Sequence, residues 1–169
     1  MRKELPARKN VRLRGYDYSR PGRYFVTLCV KDGHDMLGNI VTSVGAIINR
    51  PKTLVELTKY GDVAEKAIRE ISVCYQGIFV DKYVIMPNHI HMILVLQSKH
   101  ESGGRLIIAP TKVSAIVQQY KRSVTKLIGF SMWQKSYHDH IIRDEDEYQR
   151  IWQYINENPE KWTEDKYYG

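Results

Sequence analysis

The sequence predicts an α+β fold with one antiparallel sheet, and three observations lead to that prediction. Short segments rich in β-branched and aromatic residues recur along the chain and are typical of strands. Three longer segments repeat their apolar residues at helical spacing. The turn-forming pair Pro87-Asn88 joins two of the strand-like segments directly, which indicates a hairpin.

The first half of the chain predicts one strand, one inserted hairpin and one helix. Residues 24–30, YFVTLCV, form the strand-like segment. Residues 36–50 contain short apolar pieces around Gly38 and Gly45, which predict a hairpin inserted after the first strand. Within the segment 58–72, the apolar residues recur on one face of a helix.

The second half of the chain adds three strands and two helices. The segment 97–111 contains Gly103-Gly104 and Pro110 and is expected to form a loop. Pro159 limits the last helix, which it cannot continue. The order β-α-β-β-α-β matches the ferredoxin-like split βαβ sandwich, with helices on one face of an antiparallel sheet and a further C-terminal helix. The predicted strands of this half span 78–86, 89–96 and 137–143, and the helices span 112–128 and 145–158.

The composition places the chain among globular domains. Its 169 residues are 43% hydrophobic, which is enough to bury a core, and two cysteines cannot form a disulfide scaffold. No apolar run approaches the roughly 20 residues that cross a bilayer, and the charged N-terminus lacks the apolar stretch of a signal peptide. We expect a cytoplasmic protein with no membrane partner, organised as a basic arm (residues 1–23) and one domain (residues 24–169).

The net charge of +7 points to an anionic partner, nucleic acid before an acidic membrane surface. The charge is unevenly distributed, because residues 1–23 carry +6 whereas residues 144–169 carry −5. Tyr16 and Tyr18 alternate with the basic residues of the arm, so the arm can neutralise phosphates and stack on unpaired bases. A solvated basic tail is the alternative. The acidic run at 144–147 is expected to stabilise the N-terminus of the last helix.

A pair of histidines is the sharpest local feature. His89 and His91 lie on a predicted strand, where alternate side chains share a face, so the two imidazoles can bind one divalent cation. A metal site needs a further ligand, for which Asp139 and Asn158 are both candidates. An oxygen ligand beside two imidazoles suits Mg²⁺ or Mn²⁺ acting on phosphate. Two ordinary core or surface histidines are the alternative, because so short a motif also arises by chance.

The last helix carries a second polar pair. Tyr154 and Asn158 are four residues apart and therefore share a helix face. A tyrosine hydroxyl beside an amide oxygen can serve a metal-bound phosphate, whereas most helical tyrosines simply pack at the edge of a core. Three further tyrosines compete for the same role: Tyr120, Tyr137 and Tyr148.

Four motifs, taken in order, carry a resemblance to one family. They are R-L-R-G-Y-D-Y-S-R-P-G-R-Y-F-V-T-L, P-N-H-I-H-M-I-L, W-Q-K-S-Y-H-D-H-I-I-R and Y-I-N-E-N-P. Together they resemble the single-tyrosine HUH transposases, which comprise the insertion-sequence type 200 transposases and their REP-associated relatives. The resemblance covers about residue 10 to residue 162. Each motif is modest alone, and their order makes the set specific.

The resemblance implies an HUH nuclease domain at residues 24–169, whose central strand carries His89-Ile90-His91 as its metal-binding motif. It implies that Tyr154, on the C-terminal helix, is the nucleophile. It also implies that Asn158 completes a site for Mg²⁺ or Mn²⁺, at a position where many members have the longer glutamine.

The activity implied is cleavage and rejoining of single-stranded or hairpin DNA through a covalent 5′-phosphotyrosine. Insertion-sequence members are typically dimers that share active sites, whereas REP-associated relatives can act as monomers, so a homodimer is one expectation. We expect phosphate contacts from basic residues of the arm and of the helix at 112–128. These residues are Arg12, Arg14, Arg20, Arg23, Lys121, Arg122 and Lys126.

Two other functions are compatible with the same residues. A non-catalytic domain of this fold that recognises hairpin DNA or RNA would show salt-sensitive binding and no nicking. A metal-dependent phosphodiesterase that uses bound water, with His138 or His140 near the metal, would cut DNA without forming a tyrosine adduct.

Overall fold

The computed structural model describes residues 15–44, 51–97 and 111–168. Within these ranges the chain forms six strands and three helices. In chain order they are β1 (Gly22–Cys29), β2 (Gly38–Val44), β3 (Pro51–Leu57), α1 (Lys59–Cys74), β4 (Ile78–Ile85), β5 (His89–Leu96), α2 (Val113–Ile128), β6 (His138–Ile142) and α3 (Glu145–Glu157).

Four strands form the central sheet in the order β4-β5-β1-β6, and every neighbouring pair is antiparallel. This is the order of a split βαβ sandwich, because β1 and β5 lie in the middle and the two crossovers run through α1 and α2. The predicted α+β ferredoxin-like fold is therefore confirmed. β2 and β3 pair with each other in a separate two-stranded sheet, which is the inserted hairpin, and this hairpin extends to Leu57.

Local sequence signals set the ends of the helices. The Thr58 hydroxyl caps α1 by accepting two backbone N–H groups of its first turn, at 3.2 and 3.3 Å. α2 ends at Gly129, which adopts a left-handed conformation (φ 88°) that favours glycine. The Asp144 carboxylate caps α3 by accepting the N–H of Glu147 at 2.8 Å, so the acidic run does stabilise the start of this helix.

The alternation of side chains along β1 separates the two faces of the sheet. Val26 and Leu28 belong to the large core, which the sheet forms with α1 and α2. Phe25 packs on a smaller apolar cluster, in which Ile155 of α3 is buried against the opposite face. α1 and α2 thus cover one face, as predicted, and α3 lies across the other.

The described residues that precede β1 pack onto the domain. The rings of Tyr16 and Tyr18 lie against the large core. The division between a basic arm and a domain stays a prediction, since Arg12 and Arg14 lie outside the described residues, as does most of the expected loop at 97–111. In the described part of the chain, no helix has the length and apolar character needed to cross a membrane.

We predict that Gly61→Ala lowers the free energy of unfolding by about 1–3 kcal/mol, the range typical of overpacked cores. Gly61 is buried in α1, where an added Cβ would lie 2.0 Å from the Leu37 carbonyl oxygen and 3.1 Å from the Leu57 Cβ. Because the nearest atom belongs to the backbone, it cannot move aside easily. Denaturant unfolding measures the change, with Lys66→Ala on the exposed side of α1 as the control. Equal stability of the two variants would contradict the prediction.

Candidate active site

Two buried imidazoles face α3 from the middle of the sheet. His89 and His91 of β5 are both 0% exposed, and the strand register pairs them with Cys29 and Thr27 of β1. Their Nε2 atoms lie 3.0 Å apart. The two rings therefore share one face, as the alternation along a strand predicts, and their nitrogens converge on one point.

Hydrogen bonds at the Nδ1 atoms fix both rings. The Asn88 amide group donates to two backbone carbonyls, at 3.2 and 2.8 Å, so its oxygen accepts from His89 Nδ1 at 2.9 Å. This arrangement leaves the lone pair of His89 on Nε2. His91 Nδ1 lies 2.8 Å from the Thr27 hydroxyl. Partners of this kind orient the rings of metal-binding histidines.

Burial keeps both imidazoles neutral. It lowers the pKa of His89 to about 4, and it holds the pKa of His91 well below its ordinary value, because a charged ring is unfavourable away from water. Asp165 partly opposes the shift at His89, and the nearby His89 adds to the shift at His91. Neutral imidazole is the form that binds a metal, so the pair can hold a cation at neutral pH.

Tyr154 reaches the histidine pair from α3. Its hydroxyl lies 3.1 Å from His91 Nε2 and donates to Asp165 Oδ2 at 3.0 Å. Burial of the ring first, and then the Asp165 carboxylate, raise the pKa of this phenol. The hydroxyl is therefore protonated in this state, and positive charge nearby is needed to make its oxygen a nucleophile.

Asn158 closes the site just after the last residue of α3. It is 2% exposed, and its Nδ2 donates to Asp165 Oδ2 at 2.8 Å. Its Oδ1 is buried and has no hydrogen-bond partner among the described residues. Most buried polar atoms have a hydrogen-bond partner, so a ligand is expected to contact this oxygen. Two neutral imidazoles and an unpartnered amide oxygen fit a divalent cation.

Asp165 is the residue of the site that sequence reasoning missed. One atom each from His89, His91 and Asp165 lie within 4.8 Å of one another, and they form the one such metal-ligand group in the described part of the chain. No strand or helix period relates Asp165 to the histidines. A short turn at 162–164 returns the chain to the site, with Trp162 buried beside the His89 ring, and no sequence pattern signals this turn.

The other candidate ligand, Asp139, lies on the opposite face of the sheet. It pairs with Val26 of β1, which belongs to the core beneath α1 and α2. Paired residues in an antiparallel register point to the same face, so Asp139 is separated from His89 and His91 by the sheet itself. Asn158 contacts Asp165 of the histidine group, whereas Asp139 lies across the sheet, so the candidacy of Asp139 was wrong.

His138 and His140 share the histidine face but lie on β6. The register places them opposite Thr27 and Phe25 of β1. His140 Nε2 contacts Glu147 at 2.6 Å, and His138 is exposed. Neither belongs to the metal-ligand group found among the described residues.

The competing tyrosines have other positions. Tyr120 is buried beneath the opposite face and donates to a backbone carbonyl of α1 at 3.1 Å. Tyr137 packs against the large core, and Tyr148 donates to a carboxylate of β4. Of the four tyrosines, Tyr154 is the one that contacts His91.

An open cavity of about 370 Å³ lies beside Tyr154, between α3 and the segment that follows it. Arg150 lines this cavity one helical turn before Tyr154 and has no ion-pair partner among the described residues. Lys161 also lines it and pairs with Glu157 at 2.6 Å. Three acidic residues line the cavity as well, so its lining combines positive and negative charge next to the tyrosine: Glu157, Glu164 and Asp165.

The predicted DNA contacts fall on two sides of the molecule. Arg23 pairs with Glu145 of α3 at 2.8 Å and stacks on a tyrosine ring. Lys121 donates to two backbone carbonyls before β6, and burial lowers its pKa to about 8. α2, which carries three of the predicted contacts, lies across the sheet from α3. Three exposed cations have no ion-pair partner within the described ranges: Arg20, Arg122 and Lys126.

Comparison with known proteins identifies the class that this fold and site define. The family described as Transposase IS200 like matches residues 44–158, more than half of the chain. An uncharacterized protein of Haemophilus influenzae is 30% identical in an alignment of 177 positions, which covers 95% of this chain and 93% of that protein. The chain belongs to the IS200-like transposase family.

A solved structure shares the fold. A REP-associated tyrosine transposase bound to a REP hairpin has a TM-score of 0.63 and 20% sequence identity, over 89% of this chain and 74% of that one. The fold expected from the four motifs is thereby confirmed, with the strand order described above.

We predict that Thr27→Val weakens Mn²⁺ binding by about 10–100-fold, the usual effect of removing the hydrogen-bond partner of a ligating histidine. Thr27 is 2% exposed and valine is similar in shape, so the change mainly removes the hydroxyl beside His91 Nδ1. Calorimetric titration of the metal-free protein with MnCl₂ measures the affinity. Thr42→Val, at an exposed position of β2, is the control. Unchanged affinity in Thr27→Val would show that the hydroxyl does not orient the ring.

Proposed function

We propose that this transposase cleaves and rejoins single-stranded, hairpin-associated DNA through a covalent 5′-phosphotyrosine at Tyr154. The observation that carries the proposal is the 3.1 Å contact between the Tyr154 hydroxyl and His91 Nε2. A tyrosine that merely packs at the edge of a core does not require a buried, neutral imidazole pair beside its oxygen.

In the proposed reaction the Tyr154 oxygen attacks a backbone phosphorus atom of DNA placed in the cavity beside α3. A bond forms between the tyrosine oxygen and phosphorus, and the bond from phosphorus to the 3′ oxygen breaks. The hydroxyl proton leaves along the hydrogen bond from Tyr154 to Asp165, and the departing 3′ oxygen takes a proton from solvent. Because the phosphotyrosine keeps the energy of the phosphodiester, a 3′-hydroxyl can later attack it and restore the strand.

The residues of the site fit Mg²⁺ or Mn²⁺. His89, His91 and Asn158 would hold the cation, since the imidazoles are neutral and Asn158 Oδ1 is buried without a partner among the described residues. When bound, a divalent cation supplies positive charge that polarises the scissile phosphate. The raised pKa of Tyr154 makes such a charge necessary for attack at neutral pH.

Hairpin DNA is the substrate class that the comparisons support. The structurally similar transposase is bound to a REP hairpin, and a net charge of +7 favours a polyanion. Exposed cations without ion pairs are available for phosphates, and a paired arginine such as Arg23 can exchange its carboxylate for one. The proposed contacts are Arg12, Arg14, Arg20, Arg23, Lys121, Arg122 and Lys126.

One chain contains all of the groups proposed to react. Tyr154 contacts His91 of the same chain, so the site does not require a second subunit to complete it. Homodimer formation therefore stays a separate prediction, and so does the expectation that the protein acts on DNA in the cytoplasm.

We predict that Tyr154→Phe abolishes a protein–DNA adduct that survives denaturation, because the variant lacks the oxygen that forms the bond. The assay incubates the protein with a single-stranded oligonucleotide that contains a hairpin, in MnCl₂ or MgCl₂, and resolves adducts on a denaturing gel. Tyr148→Phe, on the same helix, is the matched control and should keep the adduct. The double variant His89→Ala/His91→Ala should lose cleavage in both MnCl₂ and MgCl₂.

Each alternative function has its own outcome in this assay. An adduct that persists in Tyr154→Phe would refute the assignment of the nucleophile. Cleavage without any adduct would indicate a phosphodiesterase that uses water, and binding without cleavage would indicate a non-catalytic hairpin-binding protein. Metal-independent cleavage by the histidine double variant would refute the metal site.

We predict that Arg20→Gln, Arg122→Gln and Lys126→Gln each weaken DNA binding about equally for all sequences. Each substitution should also reduce the slope of log K against log salt concentration by about one, because one phosphate contact is lost. Fluorescence anisotropy at several salt concentrations measures both effects. Arg69→Gln is the control, since Arg69 pairs with Glu65 within α1. A variant with an unchanged slope does not contact a phosphate.

A further inference from the structure

The Asp165 carboxylate occupies the centre of the polar site. Its Oδ2 accepts hydrogen bonds from the Tyr154 hydroxyl at 3.0 Å and from Asn158 Nδ2 at 2.8 Å. A ligand atom of Asp165 also lies within 4.8 Å of those offered by His89 and His91. The carboxylate therefore touches the proposed nucleophile and stands beside every residue proposed to hold the cation.

The segment after α3 holds Asp165 in this position through several contacts. Trp162, at the start of the turn before it, is 8% exposed, and its ring centre lies 5.8 Å from that of His89. On the other side, the Tyr167 N–H donates to Asp165 Oδ1 at 2.7 Å, and the Tyr167 carbonyl accepts from Asn88 at 2.8 Å. The carboxylate is thus fixed by buried and hydrogen-bonded neighbours on both sides.

Charge balance makes this carboxylate important for metal binding. Two imidazoles and an amide oxygen carry no net charge, so His89, His91 and Asn158 form a neutral ligand set. Hard divalent cations are held mainly by oxygen ligands, and carboxylates contribute the charge. Asp165 is the one carboxylate that joins the two histidines in a ligand group among the described residues.

We infer that Asp165 is the charged ligand of this metal site, added by the segment after α3 to the ligands from β5 and from the end of α3. The inference rests on the metal-dependent function proposed above. Since a carboxylate has about four lone-pair sites, Asp165 can bind the cation and keep its hydrogen bond from Tyr154. One residue then fixes the distance between the nucleophile and the cation.

The test measures metal binding without DNA, so that it does not depend on the reaction. Metal-free wild type, Asp165→Asn and Glu164→Gln are titrated with MnCl₂, and free Mn²⁺ is followed by electron paramagnetic resonance. Asparagine keeps the size of Asp165 and an oxygen that can accept hydrogen bonds. Glu164→Gln removes the same charge from the neighbouring exposed residue, which lines the same cavity. It therefore controls for general electrostatic attraction.

We predict that Asp165→Asn weakens Mn²⁺ binding by about tenfold or more, whereas Glu164→Gln changes it by less than about twofold. Asp165→Glu should recover part of the affinity, because it restores the charge on a longer side chain. Equal affinities of Asp165→Asn and Glu164→Gln would overturn the inference. Thermal unfolding of the metal-free variants checks that the fold is kept. If Asp165→Asn is unfolded, Asp165→Glu decides: Mn²⁺ affinity below that of the wild type supports the ligand, because the longer side chain displaces the carboxylate, whereas wild-type affinity overturns the inference.

The outcomes separate this inference from the proposed function. Adduct formation by the wild type together with unchanged Mn²⁺ affinity in Asp165→Asn would overturn the role of Asp165 and leave the function standing. Loss of Mn²⁺ affinity in Asp165→Asn together with no adduct from the wild type would support the ligand and refute the function. A wild-type protein that binds no Mn²⁺ would overturn both.

Discussion

Two uncharged imidazoles buried on the central strand are the constraint on which the rest of the site depends. A polar ring removed from water is unfavourable unless its nitrogens have partners. Asn88 forms a hydrogen bond with His89 Nδ1, and Thr27 forms one with His91 Nδ1. The two Nε2 atoms then lie close to each other and to the Tyr154 hydroxyl. The hydrogen bonds that make burial tolerable therefore also aim the remaining ring nitrogens at one point, where a cation and a phosphate can meet.

Apolar packing holds α3 against the sheet beside the imidazole pair. Ile155 is 1% exposed and is buried in the cluster that contains Ile93 of β5, two residues beyond His91 on the same face. Tyr154 directly precedes this anchor, and Asn158 follows one turn after Tyr154. The packing of Ile155 on the sheet thus sets the distance from the tyrosine hydroxyl to the imidazole. The polar contacts of the site therefore depend on this apolar contact.

Sequence patterns predicted the parts of the site that lie on a single regular element. The spacing of His89 and His91 on a strand, and of Tyr154 and Asn158 on a helix, fixes the direction of each side chain. Which face of β6 meets α3 depends on its pairing with β1, which is distant in sequence, and this is why Asp139 could not be placed in advance. Asp165 was not predicted because an irregular turn brings it to the histidines, and such a turn has no helix or strand periodicity in the sequence.

The acidic residues of the C-terminal segment, whose net charge is −5, fall into two groups with different contacts. Asp144 caps α3, and Glu145 pairs with Arg23 of β1. Glu147 accepts a backbone N–H and contacts His140 of β6. These acids therefore stabilise the start of the helix and its contact with the sheet. Asp165 instead accepts a hydrogen bond from Tyr154, the proposed nucleophile, and its charge there opposes both ionisation of the phenol and the approach of a phosphate. A divalent cation held by the imidazole pair, as proposed, would offset this carboxylate at the point where the scissile phosphate is expected. The basic surfaces proposed to bind DNA would not replace such a cation, because screening in salt limits their field to about 10 Å.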